Sequence, residues 1–181
     1  SCDQAITITD DTAPVVTCPA DTTVNCQDDS SSAATGTSTA TDNCDNELSI
    51  TENDSVASGS CPQEEVITRT WTGTDDCGNA SSCDQVVTVV DDEAPAITCP
   101  GNVTVNCEED RTSANTGVAT ATDNCDNEVT ITESDSVASG SCPQEEVITR
   151  TWTGTDDCGN ASSCDQIVTV IDDEAPAITC P

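Results

Sequence analysis

A period of 81 residues is the feature that most constrains what this chain can fold into. Cys18, Cys99 and Cys180 lie 81 residues apart, and the segment Ser55 to Gln85 recurs unchanged as Ser136 to Gln166. Self-similarity at a fixed period is typical of repeat architectures, in which each unit packs mainly against its neighbours. The sequence therefore predicts the last strand of a preceding repeat at 1–11, full repeats at 12–92 and 93–173, and the start of a following repeat at 174–181.

The cysteines predict a disulfide framework. The chain has fourteen cysteines, six in each full repeat, and no histidine. Zinc sites use close Cys-x-x-Cys pairs or histidines, and neither occurs here, whereas regular spacing is typical of disulfides in an oxidising compartment. The core must be thin, because there are two tryptophans and no phenylalanine, tyrosine or methionine. A disulfide that closes a loop of about 65 residues contributes roughly 4 kcal/mol, so three per repeat would supply much of the stability.

The charge excludes several classes of partner and activity. Thirty-five acidic residues face three arginines and no lysine, which gives a net charge of −32. Nucleic acids and anionic membranes bind basic surfaces, so we exclude both as partners. No membrane-spanning segment is visible in the sequence, so we expect no membrane insertion. An enzyme is not expected, because there is no His or Lys and the carboxylates cluster in turns rather than in an apolar pocket.

Short alternating segments bounded by turn residues predict an all-β fold. Within the first repeat they lie at Thr37–Asp42, Glu47–Glu52, Glu65–Asp75 and Cys83–Asp91. Threonine and valine suit a pleated surface, and several short strands in about 80 residues with no helical period favour a small Ig-like β-sandwich. We therefore predict tandem, disulfide-stabilised Ig-like β-sandwich modules of about 81 residues each.

Comparing the repeats indicates which side chains point inward. In the last strand the alternate positions Cys83, Gln85, Val87 and Val89 are expected to face the core, as are Cys2, Gln4, Ile6 and Ile8, and Cys164, Gln166, Val168 and Val170. In the preceding strand Arg69 shares a face with Trp71. An inward arginine requires a partner, so we expect Arg69 to stack on Trp71 or to pair with an acid.

The segments DDEAPAITCP, TATDNC and WTGTDDCGNASSC, followed by a hydrophobic last strand, resemble the hyalin-repeat (HYR) domain. The resemblance extends over each repeat and is closest to the cysteine-rich variety found in long secreted surface proteins of Bacteroidetes bacteria. It implies an Ig-like sandwich of the extracellular matrix and adhesion type, without catalytic activity. The departures are additional cysteines, represented by Cys26, Cys44, Cys61 and Cys77, and the scarcity of aromatic residues.

An Ig-like strand order predicts the disulfide pairing. Its first and last strands run side by side, and its turns bring the remaining cysteines together at the two ends of the module. The predicted pairs are Cys18–Cys83, Cys26–Cys61 and Cys44–Cys77, repeated as Cys99–Cys164, Cys107–Cys142 and Cys125–Cys158. Cys2 and Cys180 are expected to pair outside this stretch of chain.

The acids predict a calcium site at each junction. Aspartate pairs precede each Ala-Pro linker, and the same strand order places them near two acidic loops, DNCDNE and DDCGN. Clustered carboxylates repel, and Ca²⁺ accepts six to eight oxygen ligands in flexible geometry. The expected ligands are Asp10, Asp11, Asp42, Asp45, Asp75 and Asp76 at the first junction and Asp91, Asp92, Asp123, Asp126, Asp156 and Asp157 at the second. The alternative is that these acids are solvated turn residues, which Asp favours without any metal.

Two glycosylation patterns are also present. Asn53, Asn79, Asn102 and Asn160 each begin an Asn-x-Ser/Thr acceptor. Asp-Ser/Thr-apolar triplets, similar to bacterial O-glycosylation sites, contain Ser55, Ser136 and Thr12. A glycan is therefore a candidate ligand or modification.

The sequence as a whole predicts an extracellular or cell-surface structural repeat protein that forms a rigid fibre or stalk. Its partners would be neighbouring repeats of the same chain or identical subunits joined end to end. The alternative is an adhesion module that recognises a carbohydrate or a cell-surface partner. Near-identical consecutive repeats favour the structural role, since binding domains usually differ from the stalk that carries them.

Overall fold

The computed structural model describes residues 2–179. The chain divides into two compact units, the first ending at Asp91 and the second beginning at Asp92. Strands dominate both units, and the only helical segments among the described residues are two single turns. None of the described helices is long and apolar enough to span a membrane. The all-β, tandem sandwich-like fold expected from the sequence is confirmed.

The two units have the same order of elements. In the first unit these are β1 Val15–Thr17, β2 Thr22–Asn25, α1 Ser32–Thr35, β3 Thr39–Thr41, β4 Ser49–Ser58, β5 Glu65–Thr74 and β6 Ala80–Val90. In the second they are β7 Ala96–Thr98, β8 Val103–Asn106, α2 Ser113–Thr116, β9 Thr120–Thr122, β10 Thr130–Ser139, β11 Glu146–Thr155 and β12 Ala161–Ile171.

Each unit contains one four-stranded and one two-stranded sheet. In the first unit the larger sheet has the order β2-β6-β5-β4, with β2 parallel to β6 and the other pairs antiparallel. β1 and β3 form the smaller antiparallel sheet. The sheets approach closely at Gly73, where an added Cβ would lie 2.8 Å from Val16 Cγ2 and 3.3 Å from Ala40 Cβ. The second unit repeats this arrangement as β10-β11-β12-β8 and β7-β9.

The core follows the predicted alternation. Gln85, Val87 and Val89 are buried in β6, and Ile67 and Trp71 are buried in β5. This pattern arises because successive side chains of a strand point to opposite faces. The inward-facing prediction for Cys2–Ile8 is not realised: residues 2–14 form no strand, and Ile6 and Ile8 are 77% and 93% exposed.

Two buried polar side chains anchor the short helix to the sheet. Arg69, only 3% exposed, makes a bidentate pair with Asp54 through Nε and Nη2, each 2.8 Å from a carboxylate oxygen. Its Nη1 donates to Thr35 Oγ1 at 2.9 Å, and Nε2 of Gln85 donates to the backbone carbonyls of Ala20 and Thr35. Arg69 therefore pairs with an acid, one of the two partners expected from the sequence.

The disulfides agree with the prediction at two positions. Cys18–Cys83 and Cys99–Cys164 form, each with a Cα–Cα distance of 5.9 Å and a separation of 65 residues. Each links the small sheet to the last strand of the large one, beside the buried tryptophan that is in register with the second cysteine. Cys26, Cys61, Cys125 and Cys158 are also disulfide-bonded, and their predicted pairing remains a prediction.

The predicted Cys44–Cys77 and Cys107–Cys142 bonds are not formed. Cys44 and Cys77 are exposed thiols, and Asn43 Nδ2 lies 3.2 Å from Cys44 Sγ, which holds this thiol against its own loop. Cys107 and Cys142 are half-buried thiols on segments of the large sheet that are not adjacent. Cys2 is an exposed thiol, and Cys180 lies outside the described residues.

Candidate metal centre

Three carboxylates converge at one end of the first unit. Asp10 lies in the segment before β1, Asp42 directly follows β3, and Asp75 directly follows β5. One carboxylate oxygen from each lies within 4.8 Å of the others. We call Asp10, Asp42 and Asp75 the acidic trio. It contains one residue from each of the three acidic segments that the sequence predicted to meet.

Asp75 is fixed by the turn between β5 and β6. It is 6% exposed, and its two carboxylate oxygens accept hydrogen bonds from the backbone N–H and the side-chain amide of Asn79, at 2.8 and 2.7 Å. Gly78 supplies the positive φ of 88° that this tight turn requires. Burial raises the pKa of Asp75, but the hydrogen bonds from Asn79, together with those from the backbone N–H groups of Cys77 and Gly78, outweigh it and lower the pKa below its ordinary value. The carboxylate is therefore ionised at neutral pH.

Asn79 also attaches the incoming segment to the site. Its side-chain Nδ2 donates to the backbone carbonyl of Asp10 at 3.2 Å, as well as to Asp75. The sequence singled out Asn79 only as a glycosylation acceptor and missed this positioning role. The signal that was available is the spacing Asp-x-x-x-Asn within one turn, which allows the amide to close back on the aspartate.

Asp42 leaves one buried oxygen available to a cation. Its Oδ1 accepts the backbone N–H groups of Cys44 and Asp45, at 2.9 and 3.1 Å, which shapes the loop after β3. Its Oδ2 is buried without a hydrogen-bond partner. An unsatisfied buried carboxylate oxygen is costly unless a cation or a donor compensates it.

The other predicted ligands of the first junction have different positions. Asp45 accepts the N–H of Asp76 on Oδ2 and that of Glu47 on Oδ1, both at 2.9 Å, and these bonds lower its pKa. It therefore links the two acidic loops instead of joining the trio. Asp11 and Asp76 are exposed and lie outside the trio.

The second unit repeats the local geometry. Asp123 Oδ1 accepts the N–H groups of Cys125 and Asp126, and its Oδ2 is buried without a hydrogen-bond partner. Asp156 accepts the backbone and side-chain N–H groups of Asn160 at 2.8 and 2.9 Å. Asp126 Oδ2 accepts the N–H of Asp157, as Asp45 does that of Asp76. Asp91 and Asp92 match Asp10 and Asp11 in the repeat.

No arginine neutralises the acidic trio. Arg69 and Arg150 pair with Asp54 and Asp135, and Arg111 pairs with Glu146. These are all the arginines of the chain, which has no lysine. Three hard oxygen ligands without a neighbouring cationic side chain fit Ca²⁺, which would complete its shell with backbone carbonyls and water.

The glycosylation acceptors lie in two kinds of environment. Asn53, Asn102, Ser55, Ser136 and Thr12 are exposed, although Asn102 Oδ1 accepts the N–H of Ile167 at 2.8 Å. Asn79 and Asn160 are half-buried, with their amides bonded to the site aspartates. Modification of any of these residues remains a prediction.

Comparison with known proteins gives a family match and several structural likenesses. The family model described as "HYR-like domain with 4 cysteines" matches residues 14–89 and 95–170. No curated protein matches the chain. Among solved structures, the crystal structure of Drosophila N-cadherin EC1-4 aligns with a TM-score of 0.42 and 15% sequence identity, covering 89% of this chain and 50% of that one. The chain thus spans about half the length of that structure.

Proposed function

The chain belongs to the family of HYR-like domains with 4 cysteines, and on this basis we propose that it is part of an extracellular fibre or cell-surface stalk stiffened by calcium. The disulfides fit an oxidising, extracellular location. A bacterial surface protein of the Bacteroidetes type is the source that we propose from the resemblance of its motifs.

A structural role is supported by the uniformity of the modules. A surface segment such as β4 is exposed along its whole length, yet Ser55 to Ser58 recur unchanged as Ser136 to Ser139. Stacked repeats with the same surface are typical of quasi-one-dimensional architectures, where each unit serves as a spacer. The inter-sheet disulfide of each module also restricts the separation of its two sheets when the array is under tension.

The acidic trio carries the calcium proposal. Its members come from the segment before β1 and from the loops after β3 and β5, so one ion would tie the incoming segment to the body of the module. Pro14, which follows in that segment, is fully buried, and the Ser81 hydroxyl donates to its carbonyl. Calcium would thus add a second attachment at Asp10, whose backbone carbonyl Asn79 already holds, and stiffen the linker between Asp10 and the buried Pro14.

The same site is proposed for the second module by repeat equivalence. Asp123 and Asp156 have the geometry of Asp42 and Asp75, and Asp91 is the residue that matches Asp10. Replacing Asp91 by Asn should therefore weaken calcium binding to the second module, as replacing Asp10 by Asn should weaken it in the first.

The test is a calorimetric calcium titration of the non-reduced, chelator-stripped chain. We expect one site per module in the unmodified chain and none when Asp42 and Asp123 are both replaced by Asn. The matched control replaces Asp76 and Asp157, which are exposed, and should bind calcium as the unmodified chain does. Absence of binding at millimolar calcium, or equal binding by both double variants, would refute the metal site.

A further inference from the structure

Equivalent cysteines of the two near-identical modules are in different oxidation states. In the first module Cys44 and Cys77 are free thiols. Their equivalents in the second module, Cys125 and Cys158, are both disulfide-bonded. The loops that carry them differ little, since the segment that includes Cys77 is identical to the one that includes Cys158. Local sequence therefore does not decide whether these positions are bonded.

The remaining positions show the opposite asymmetry. Cys26 and Cys61 of the first module are disulfide-bonded, whereas their equivalents Cys107 and Cys142 in the second are thiols. If modules of the same fold closed these bonds internally, both would show the same state. We infer from this asymmetry that the thiols Cys44, Cys77, Cys107 and Cys142 find their partners outside their own modules.

The sheet of the second module supports this conclusion for Cys107 and Cys142. Cys107 follows β8, and its N–H donates to Ile171 O on β12, while Cys142 lies in the turn before β11. Because β12 lies between β8 and β11, two strand spacings of about 4.8 Å each separate these segments. Disulfides require Cα atoms within about 7 Å, so this pair would need the backbone to move.

The four thiols lie at opposite ends of their modules. Cys77 follows the end of β5. Cys44 lies in the loop after β3, which is joined to that same turn by the hydrogen bond from the N–H of Asp76 to Asp45. Cys142 instead precedes the start of β11, the strand equivalent to β5, and these strands have ten residues, about 30 Å. Each module thus has one pair of cysteine positions near its acidic end and a second pair at the opposite end.

We propose that Cys107 and Cys142 form two disulfides with Cys44 and Cys77 of a further module of the same kind, so that modules are covalently joined head to tail. The proposal concerns only the cysteines and holds whether or not calcium binds. Two bonds from separate segments of each module would prevent rotation at the joint, which a single disulfide would permit.

The chemistry is an ordinary thiol–disulfide exchange. For each new bond two thiols lose their hydrogens and are oxidised, while a small disulfide such as oxidised glutathione is reduced to two thiols. Burial, together with the carboxylate of Asp172, raises the pKa of the Cys107 thiol. The exchange is therefore best run at mildly alkaline pH, where the reactive thiolate is populated.

The test uses two complementary forms of the full chain, each with Cys2→Ser and Cys180→Ser. One form retains Cys44 and Cys77 and carries the substitutions Cys107→Ser and Cys142→Ser. The other retains Cys107 and Cys142 and carries the substitutions Cys44→Ser and Cys77→Ser. Each is incubated in a reduced/oxidised glutathione buffer, alone and mixed, with calcium and with chelator, then quenched by alkylation.

We expect each form alone to stay monomeric and the mixture to yield a heterodimer and nothing larger, on non-reducing electrophoresis. Peptide mass spectrometry should find bonds that join one cysteine from each end. Homodimers of either form, an internal Cys44–Cys77 or Cys107–Cys142 bond, or a mixture that stays monomeric would overturn the proposal. Intact Cys18–Cys83 and Cys99–Cys164 bonds in both forms verify that each is folded. A heterodimer that also forms in chelator would show that these disulfides do not require calcium, so a failed calcium titration would not overturn them.

Discussion

Replacing Asp42 and its equivalent Asp123 by Asn should change stability in opposite directions with and without calcium. Asparagine retains the Oδ1 atom that accepts the N–H groups of Cys44 and Asp45, so the loop after β3 keeps its hydrogen bonds. What the substitution removes is one of three neighbouring negative charges. The experiment therefore isolates electrostatics from loop geometry.

The size of the effect follows from the spacing of the carboxylates. Carboxylate oxygens of the trio lie within 4.8 Å of one another, and two unit charges at that limit repel by about 1 kcal/mol at the dielectric constant of water and by about 3 kcal/mol at an effective value of about 20. Asp42 takes part in two of the three pairs, so the lower figure gives about 2 kcal/mol per module without calcium. For a domain of this size that corresponds to a rise in Tm of roughly 8–16 °C, reduced by salt screening.

With calcium the order should reverse. An ion present at one hundred times its Kd stabilises the folded state by about 2.7 kcal/mol, and this gain requires the complete site. Scanning calorimetry at low ionic strength should therefore show the double Asn variant above the unmodified chain in chelator and below it in calcium. The control with Asp76→Asn and Asp157→Asn should follow the unmodified chain in both. A variant that is less stable in chelator, or that gains as much from calcium as the unmodified chain, would refute the reasoning.

Two further substitutions test the packing that holds the site in place. Gly73→Ala would bring a methyl group to 2.8 Å from Val16 Cγ2, and we expect a loss of about 1–3 kcal/mol in denaturant unfolding; an unchanged midpoint would show that the sheets separate easily. Asp54→Asn leaves the Arg69 guanidinium, 3% exposed, without its bidentate partner, which should cost about 2–3 kcal/mol in denaturant unfolding. Because its bonds to Arg69 lower the pKa of Asp54, this contribution is present above about pH 4 and is lost as the pH falls through the lowered pKa. The Asn variant should lack that dependence.

The strands could be predicted where one face is buried. The segment Glu65–Asp75 was predicted as a strand, and β5 extends over Glu65–Thr74, because its alternate residues enter the core. The sequence gives no such signal for Ser32–Thr35, since a single helical turn is too short to show a period. Its position depends on Arg69 and Gln85, which reach it from the sheet, and such tertiary contacts are not visible in local sequence.

The convergence of the acidic segments was predicted, but not which of their carboxylates meet. Asp42 and Asp45 are three residues apart in one loop and have the same side chain, yet only Asp42 belongs to the trio. The difference arises because Asp45 accepts the N–H of Asp76 across the turn, a contact that depends on how two loops meet. Two predicted disulfides, Cys44–Cys77 and Cys107–Cys142, do not form, and local sequence does not explain why, since Cys44 is a thiol and Cys125 is bonded in nearly identical loops.

All three arginines form ion pairs within a module, and none of them neutralises the acids beside the linker. Each arginine is paired within its own module, two of them buried against aspartates of the neighbouring strand. A net charge of −32 then leaves the acids at the end of the module without a counter-charge from the protein. Exposed acids elsewhere can be screened by dilute monovalent ions, but a buried oxygen such as Asp42 Oδ2 is screened much less. A module built in this way folds by its own contacts, while the rigidity of its incoming segment would be set by the divalent cation concentration outside the cell.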